Sequence, residues 1–140
     1  MVKLSCPFPG CQSSIVGFEA DHSTVLPVDV YKKFKIMLPS ENTTVDGQFS
    51  VYGDIWDFDN VGVSRAVPDS VLGSDNEQAA SKWVFTWKEN SYMLGKLTKY
   101  LICADCDRGP LGMVCETMRD GQSVTLNFLS LASVRRVEEP

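Results

Sequence analysis

Three features of the sequence predict a mainly β fold. Residues 83–87 and 91–102 form two apolar runs rich in β-forming side chains, and the short polar segment 88–90 between them predicts a hairpin. Apolar and polar residues alternate in 123–129, as they do in a strand with one buried face. With 140 residues, of which 44% are hydrophobic, the chain can bury one core. We therefore expect a single domain, 1–140, built mainly of strands.

The remaining segments have less regular patterns. Leu129 and Leu131 interrupt the alternation near the end of the last strand, so we expect that strand to be covered on both faces. The segment 28–38 fits a helix or a strand, and its pattern does not decide between them. Two polar stretches, 39–48 and 68–81, contain the Pro, Gly, Asn and Ser residues that are typical of exposed loops.

Charge and composition narrow the class of function. The formal net charge is −5, whereas proteins that bind nucleic acids usually need a basic surface to displace counterions from phosphates. Pro7 and Pro9 interrupt the start of the chain before the apolar core of a secretory signal could develop. No charge-free stretch offers the roughly 20 apolar residues that a membrane-spanning helix needs. We therefore expect a cytoplasmic protein that binds no nucleic acid and does not insert into membranes.

Four of the five cysteines form two pairs. Cys103 and Cys106 have the two-residue spacing that places both sulfurs on one side of a tight turn. Cys6 and Cys11 are spaced by four residues, and the Pro and Gly residues between them favour a turn. Structural disulfides are rare in the cytoplasm, so paired cysteines indicate a metal or redox role there. The sequence predicts a structural Zn²⁺ site of four thiolates, which leaves no coordination position for a substrate.

Other interpretations of these residues exist. A single CxxC motif also occurs in redox enzymes, but there it accompanies a βαβ pattern, which is absent from this sequence. Free buried cysteines are common as well, and we expect Cys115 to be one that packs in the core. His22 is the only histidine and has no metal-binding or catalytic partner nearby in the sequence, so we expect an ordinary surface or core residue.

The central segment 53–62 is rich in aromatic and acidic residues. If it is extended, Trp56 and Phe58 share one face while Asp57 and Asp59 share the other. This pattern fits a half-buried strand, and it equally fits an aromatic anchor with an acidic rim, the usual composition of a protein-binding hot spot. Composition alone leaves both possibilities open.

Taken together, the early cysteine pair, the central DIWDFDNVG (54–62) and CADCDRGPLG (103–112) resemble one family. It is the Rab-interacting factor family (RABIF and its fungal relatives called Dss), zinc-containing proteins that bind Rab GTPases, and the chain looks like a fungal-type member. The resemblance implies a compact β-tent fold with the zinc beneath the Rab-binding surface. It also implies binding to exocytic Rabs, release of GDP or GTP, and retention of the nucleotide-free GTPase in post-Golgi vesicle transport.

The resemblance also implies which residues bind the GTPase. Carried over by position, they are Asp54, Ile55, Trp56, Phe58, Asn60, Val61 and Asp105. No catalytic residue is implied, because a release factor acts by binding. The chain departs from the animal members in two respects: the first cysteine pair is spaced by four residues rather than two, and the stretch 63–102 is much longer.

Two other functions remain as alternatives. Methionine sulfoxide reductases of the B type have a similar tent fold and a four-cysteine zinc site, but they need a catalytic cysteine on a late strand. The comparable stretch here, 126–130, has none, so Cys115 would have to serve in a different context. A zinc-ribbon module that binds nucleic acid is disfavoured by the acidic balance of charge.

Overall fold

The computed structural model describes residues 2–8, 10–11, 13–18, 22–26, 31, 36, 47–54, 58, 61–63, 84–107 and 110–138. These residues contain ten strands and a three-residue 3-10 turn, so the prediction of a mainly β protein is confirmed. The strands are β1 (Val2–Ser5), β2 (Ser14–Gly17), β3 (Ser23–Val25), β4 (Gln48–Tyr52), β5 (Val61–Val63), β6 (Val84–Trp87), β7 (Asn90–Cys103), β8 (Gly112–Arg119), β9 (Gln122–Ser130) and β10 (Arg135–Glu138).

The strands form two antiparallel sheets. The larger has the order β3-β4-β9-β8-β7-β5, with β6 also paired to β7, and the smaller has the order β10-β1-β2. Strand β7, 14 residues long, is the longest of the ten. Along one edge it pairs with β6 near its start and with β5 at its end, while β8 occupies its other edge. One long strand therefore connects a hairpin at one end of the sheet to the CxxC turn at the other.

The predicted hairpin is confirmed, with a tighter turn than expected. Strand β6 pairs with the start of β7, and the register includes Trp87 opposite Asn90. The turn therefore has two residues, Lys88 and Glu89, because Asn90 already belongs to the strand. Both turn residues have positive φ angles, 48° and 68°, as a two-residue type I′ hairpin turn requires.

Strand β9 separates two hydrophobic clusters, and this confirms that it is covered on both faces. Leu126 and Phe128 point into the larger cluster, which lies inside the curled seven-stranded sheet. Leu129 belongs to the second cluster, which lies between the two sheets and includes Leu4 and Ile15 of the smaller sheet. The alternating residues of one strand therefore support two cores, which explains why the apolar pattern becomes continuous at its end.

The large sheet curls until β3 and β6 approach each other. Thr24 of β3 donates a hydrogen bond from Oγ1 to the carbonyl oxygen of Thr86 on β6, at 2.5 Å. The indole Nε1 of Trp87 donates to the carbonyl oxygen of His22, at 3.1 Å. Side-chain hydrogen bonds thus join these two strands where no backbone ladder pairs them among the described residues.

Some predicted features lie wholly or partly outside the described residues. Of the segment 28–38, Tyr31 and Ile36 are described, and both are buried in the larger cluster. The predicted loop 68–81 lies outside the described residues, as does 39–46 of the predicted loop 39–48. The predicted end of that loop was wrong, because Gln48 begins β4. In the part of the chain that the structure covers, we find no helix with the length and apolar character needed to cross a bilayer.

Candidate metal centre and adjoining surface

The four paired cysteines come together at one end of the sheets. The sulfur atoms of Cys6, Cys11, Cys103 and Cys106 all lie within 4.8 Å of one another. The closest contacts cross between the pairs: 3.7 Å from Cys6 to Cys106 and 3.6 Å from Cys11 to Cys103. A tetrahedral site with Zn–S bonds of about 2.3 Å would have sulfur–sulfur edges of about 3.8 Å. The four thiols are therefore positioned to bind a metal ion, and their spacing fits a tetrahedral one.

Each cysteine pair is held by a backbone turn. In the first, the amide of Cys11 donates to the carbonyl oxygen of Phe8 at 3.2 Å, and Gly10 adopts a φ of 85° that a side chain would disfavour. In the second, which follows β7, the amide of Asp107 donates to the carbonyl oxygen of Cys103 at 2.8 Å. The two pairs belong to different sheets, since Cys6 follows β1 and Cys103 ends β7. A bound ion would therefore cross-link the sheets.

The protein shifts the pKa values of these thiols in opposite directions. Burial raises the pKa of Cys6 to about 12 and also raises that of Cys103, although backbone amides that donate to both sulfurs oppose the shift. The pKa of Cys11 is lowered to about 6, because the hydroxyl and the amide of Ser13 lie within hydrogen-bonding reach of its sulfur. A metal ion must therefore displace protons from Cys6 and Cys103, whereas Cys11 favours the thiolate already.

The central segment adjoins this centre through β5. Val61 pairs with Cys103 and packs against the cluster that contains all four thiols. Phe58 is 8% exposed, and its ring meets that of Tyr52 edge-on with 4.8 Å between the centroids. Asp54 is exposed just beyond β4. The other predicted binding residues of this segment lie outside the described residues; they are Ile55, Trp56 and Asn60.

Asp105 is exposed in the CxxC turn, and its position revealed a residue that the sequence did not single out. The hydroxyl of Ser13 donates a hydrogen bond to Oδ2 of Asp105. The oxygen of the same hydroxyl lies 3.5 Å from the sulfur of Cys11. Serine two residues after a cysteine is too common a pattern to signal this contact, which depends on how the two turns face each other.

The remaining cysteine and the histidine take the positions expected of them. Cys115 is fully buried in the larger cluster, and burial raises the pKa of its thiol far above the usual range. The Nδ1 of His22 lies 3.0 Å from the carbonyl oxygen of Val51, which fits an N–H donor there, and its ring packs beside Tyr52 at 4.9 Å. Neither side chain belongs to the group of thiols.

Comparison with known proteins places this arrangement in a family. The family model described as "Mss4 protein" matches residues 1–135. The chain belongs to the Mss4 family. It is also 39% identical over 143 residues to "Protein DSS4" of Saccharomyces cerevisiae, with 96% of each chain covered. The match to the Mss4 model includes all four thiols and the central segment, so the family resemblance read from the motifs is confirmed, including its fungal type.

Proposed function

We propose that this chain binds a Rab-family small GTPase of the secretory pathway, promotes release of GDP or GTP, and stabilises the nucleotide-free form. Family membership supports this proposal. The observation that carries it is the pairing of Val61 with Cys103, which joins the end of the central segment to the cysteine turn. The segment and the turn can then act as one surface. Its residues would be Asp54, Ile55, Trp56, Phe58, Asn60, Val61 and Asp105.

We assign Zn²⁺ to the four thiols, with a structural role. Four cysteine sulfurs this close together are typical of zinc sites, and four thiolate ligands leave no open position for substrate. When bound, the ion would supply a rigid link between the turn after β1 and the turn after β7. The proposed binding surface would thus rest on a cross-linked base, with Cys103 serving both as a metal ligand and as the strand partner of Val61.

Release of nucleotide would follow from differential binding. A protein that binds the empty GTPase more tightly than the loaded form weakens nucleotide binding by the same factor. Trp56 would displace a segment that covers the nucleotide, while Phe58, largely buried against Tyr52, would support the surface from beneath. The exposed carboxylates of Asp54 and Asp105 would attract basic groups that otherwise hold phosphate. None of these roles requires a catalytic acid or base.

The proposal is tested by loading a secretory Rab with a fluorescent guanine nucleotide and following its release after this protein is added. We expect faster release, and a stable complex with nucleotide-free Rab. Trp56→Ala should weaken that complex by about 2 kcal/mol if Trp56 is a hot-spot anchor. Asp120→Asn is the matched control, since Asp120 is an exposed carboxylate at the opposite end of the large sheet.

The outcomes separate function from site. Faster release that Trp56→Ala reduces and Asp120→Asn leaves intact would support both the GTPase partner and the surface. If release is faster but unaffected by Trp56→Ala, the GTPase is still the partner, but the binding surface does not depend on Trp56. If the protein neither releases nucleotide nor binds nucleotide-free Rab, the proposal is wrong. We place this activity in the cytoplasm, with recruitment to secretory membranes through the Rab.

The reductase alternative depends on Cys115. A catalytic thiol must reach substrate as a thiolate, whereas Cys115 is fully buried and its burial raises its pKa. These observations favour a packing role. This is tested by assaying methionine sulfoxide reduction by the wild type and by Cys115→Ser. Wild-type activity that the substitution removes would support the reductase alternative.

A further inference from the structure

Ser13 lies where the two cysteine turns meet. Its carbonyl oxygen accepts a hydrogen bond from the amide of Cys6 at 2.8 Å, and this contact fixes Ser13 to the first turn. Its hydroxyl donates to Oδ2 of Asp105, a residue 92 positions away in the second turn. Ser13 therefore connects the two turns through its own backbone and side chain, without involving a metal ion.

The single hydroxyl hydrogen of Ser13 is directed toward Asp105. The hydroxyl donates to the Asp105 carboxylate, whereas its oxygen lies 3.5 Å from the sulfur of Cys11, which is a long contact. A carboxylate accepts hydrogen bonds only, so the hydroxyl must be the donor in that pair. The amide of Ser13 remains available to the sulfur of Cys11. The hydroxyl and the amide of Ser13 both lower the pKa of Cys11, and when the hydroxyl donates to Asp105 the thiolate keeps the amide as its donor.

Asp105 would otherwise have considerable freedom. Its side chain is exposed, and among the described residues its carboxylate makes a hydrogen bond to Ser13 alone. The bond uses one oxygen, Oδ2, so the other remains able to meet a partner. An exposed side chain that must be ordered on binding lowers affinity, and fixing it beforehand removes part of that cost. The Ser13 hydroxyl is placed to provide this preorganisation.

We propose that Ser13 is a positioning residue, whose hydroxyl holds the Asp105 carboxylate ready to receive a basic group of the bound GTPase. This inference rests on the proposed function, because it assumes that Asp105 contacts the partner. It adds a physical link between the two halves of the site: the acidic contact would be correctly oriented only while the first cysteine turn is docked against the second.

A bracing role for Ser13 is the competing explanation, since a serine that merely stabilises the first turn would affect binding indirectly. The two explanations differ in three measurable respects. A positioning hydroxyl should be replaceable by that of threonine, should act only when Asp105 is present, and should not alter the zinc content. A brace for the turn would change zinc content and would act regardless of Asp105.

The experiment measures the dissociation constant of full-length protein for nucleotide-free Rab, the nucleotide-release rate and the zinc content per chain. The variants are Ser13→Ala, Ser13→Thr, Asp105→Ala and the double variant Ser13→Ala/Asp105→Ala. We expect Ser13→Ala to weaken binding about fivefold and Asp105→Ala about tenfold, as for the loss of one charge-assisted hydrogen bond and its carboxylate. Ser13→Thr should remain near wild type. The double variant should match Asp105→Ala, because the serine then has nothing to orient.

Three results would overturn the inference while leaving the proposed function intact. Unchanged binding by Ser13→Ala would show that the hydroxyl is dispensable. Losses that multiply in the double variant would show that Ser13 acts independently of Asp105. Zinc loss from Ser13→Ala would identify a brace for the metal turn. If the wild-type protein neither binds nucleotide-free Rab nor speeds nucleotide release, the proposed function is wrong, and this inference is wrong with it.

Discussion

The two ends of β7 are stabilised by different chemistry. At the end that carries Cys103, the cluster between the sheets contains four thiols, and strands of both sheets meet there. At the start of the strand, aromatic side chains fill the core: the rings of Phe85 and Tyr92 stack with centroids 5.5 Å apart. The comparison indicates that aromatic packing and side-chain hydrogen bonds stabilise the hairpin end, whereas the cysteine end is built to be cross-linked by a metal ion.

The largest effect should come from removing the cross-link. Replacing Cys103 with serine, or chelating the metal, should destabilise the cysteine end by on the order of 5 kcal/mol or more, since metal-binding energy becomes folding energy. Amide hydrogen exchange should then show lost protection in β1, β2 and β10. Protection in the parts of β8 and β9 that lie near the β6–β7 hairpin should persist. Uniform loss of protection across both sheets would show that the two ends unfold as one unit.

A core aromatic residue should produce the next largest effect, confined to the hairpin end. Phe85 is 3% exposed and also meets Phe128 edge-on, so Phe85→Ala should cost about 3–4 kcal/mol in urea unfolding. Zinc content should not change. The neighbouring Val84 is 57% exposed, and Val84→Ala should change stability by less than about 0.5 kcal/mol. Zinc loss from Phe85→Ala would contradict the separation of the two ends.

The cysteine end should also respond to pH, because its thiols must lose protons to bind metal. In the metal-free protein Cys6 and Cys103 have raised pKa values and are protonated near neutrality. Binding releases at least these two protons, so zinc affinity should fall by at least about 100-fold for each unit that the pH is lowered near 7. Below the Cys11 pKa of about 6, one further proton should make the dependence steeper.

Calorimetry in buffers of different ionisation enthalpy counts the protons released on zinc binding. A count below two at pH 7 would contradict the raised pKa values of Cys6 and Cys103. In the zinc-loaded protein, the aromatic end should provide the internal control. Hydrogen exchange there, corrected for its intrinsic dependence on pH, should show the same protection between pH 6 and pH 8.

The smallest effect concerns two hairpin turns at the same end of the sheet. Lys88 and Glu89 form the β6–β7 turn with positive φ angles, a conformation that Asn and Gly adopt more readily. The β8–β9 turn already has Asp120 and Gly121, with φ angles of 51° and 80°. Lys88→Asn/Glu89→Gly should therefore stabilise the protein by about 1 kcal/mol, seen as a higher Tm.

Gly121→Ala is the matched test of this explanation. It should lower the Tm, because alanine is disfavoured at that φ. If both changes left the Tm unaltered, backbone strain at these turns would not contribute measurably to stability.

Much of the fold could be predicted from local patterns. The β6–β7 hairpin was predicted because two β-rich runs flank a short polar turn, although the turn proved one residue shorter. The four-cysteine group was predicted because turn spacing within each pair is a local property of the chain. The segment 28–38 could not be assigned, since its residues fit either type of element and only tertiary packing could decide between them.

The sequence by itself determined that the protein is mainly β and which four thiols belong together. Only the tertiary structure decided that Val61 pairs with Cys103, and that Ser13 meets Asp105 across 92 residues. The physical reason is range. Hairpins and cysteine turns depend on neighbouring residues, whereas the pairing of β5 with β7 and the contact between the two turns depend on how distant parts of the chain pack around the second cluster.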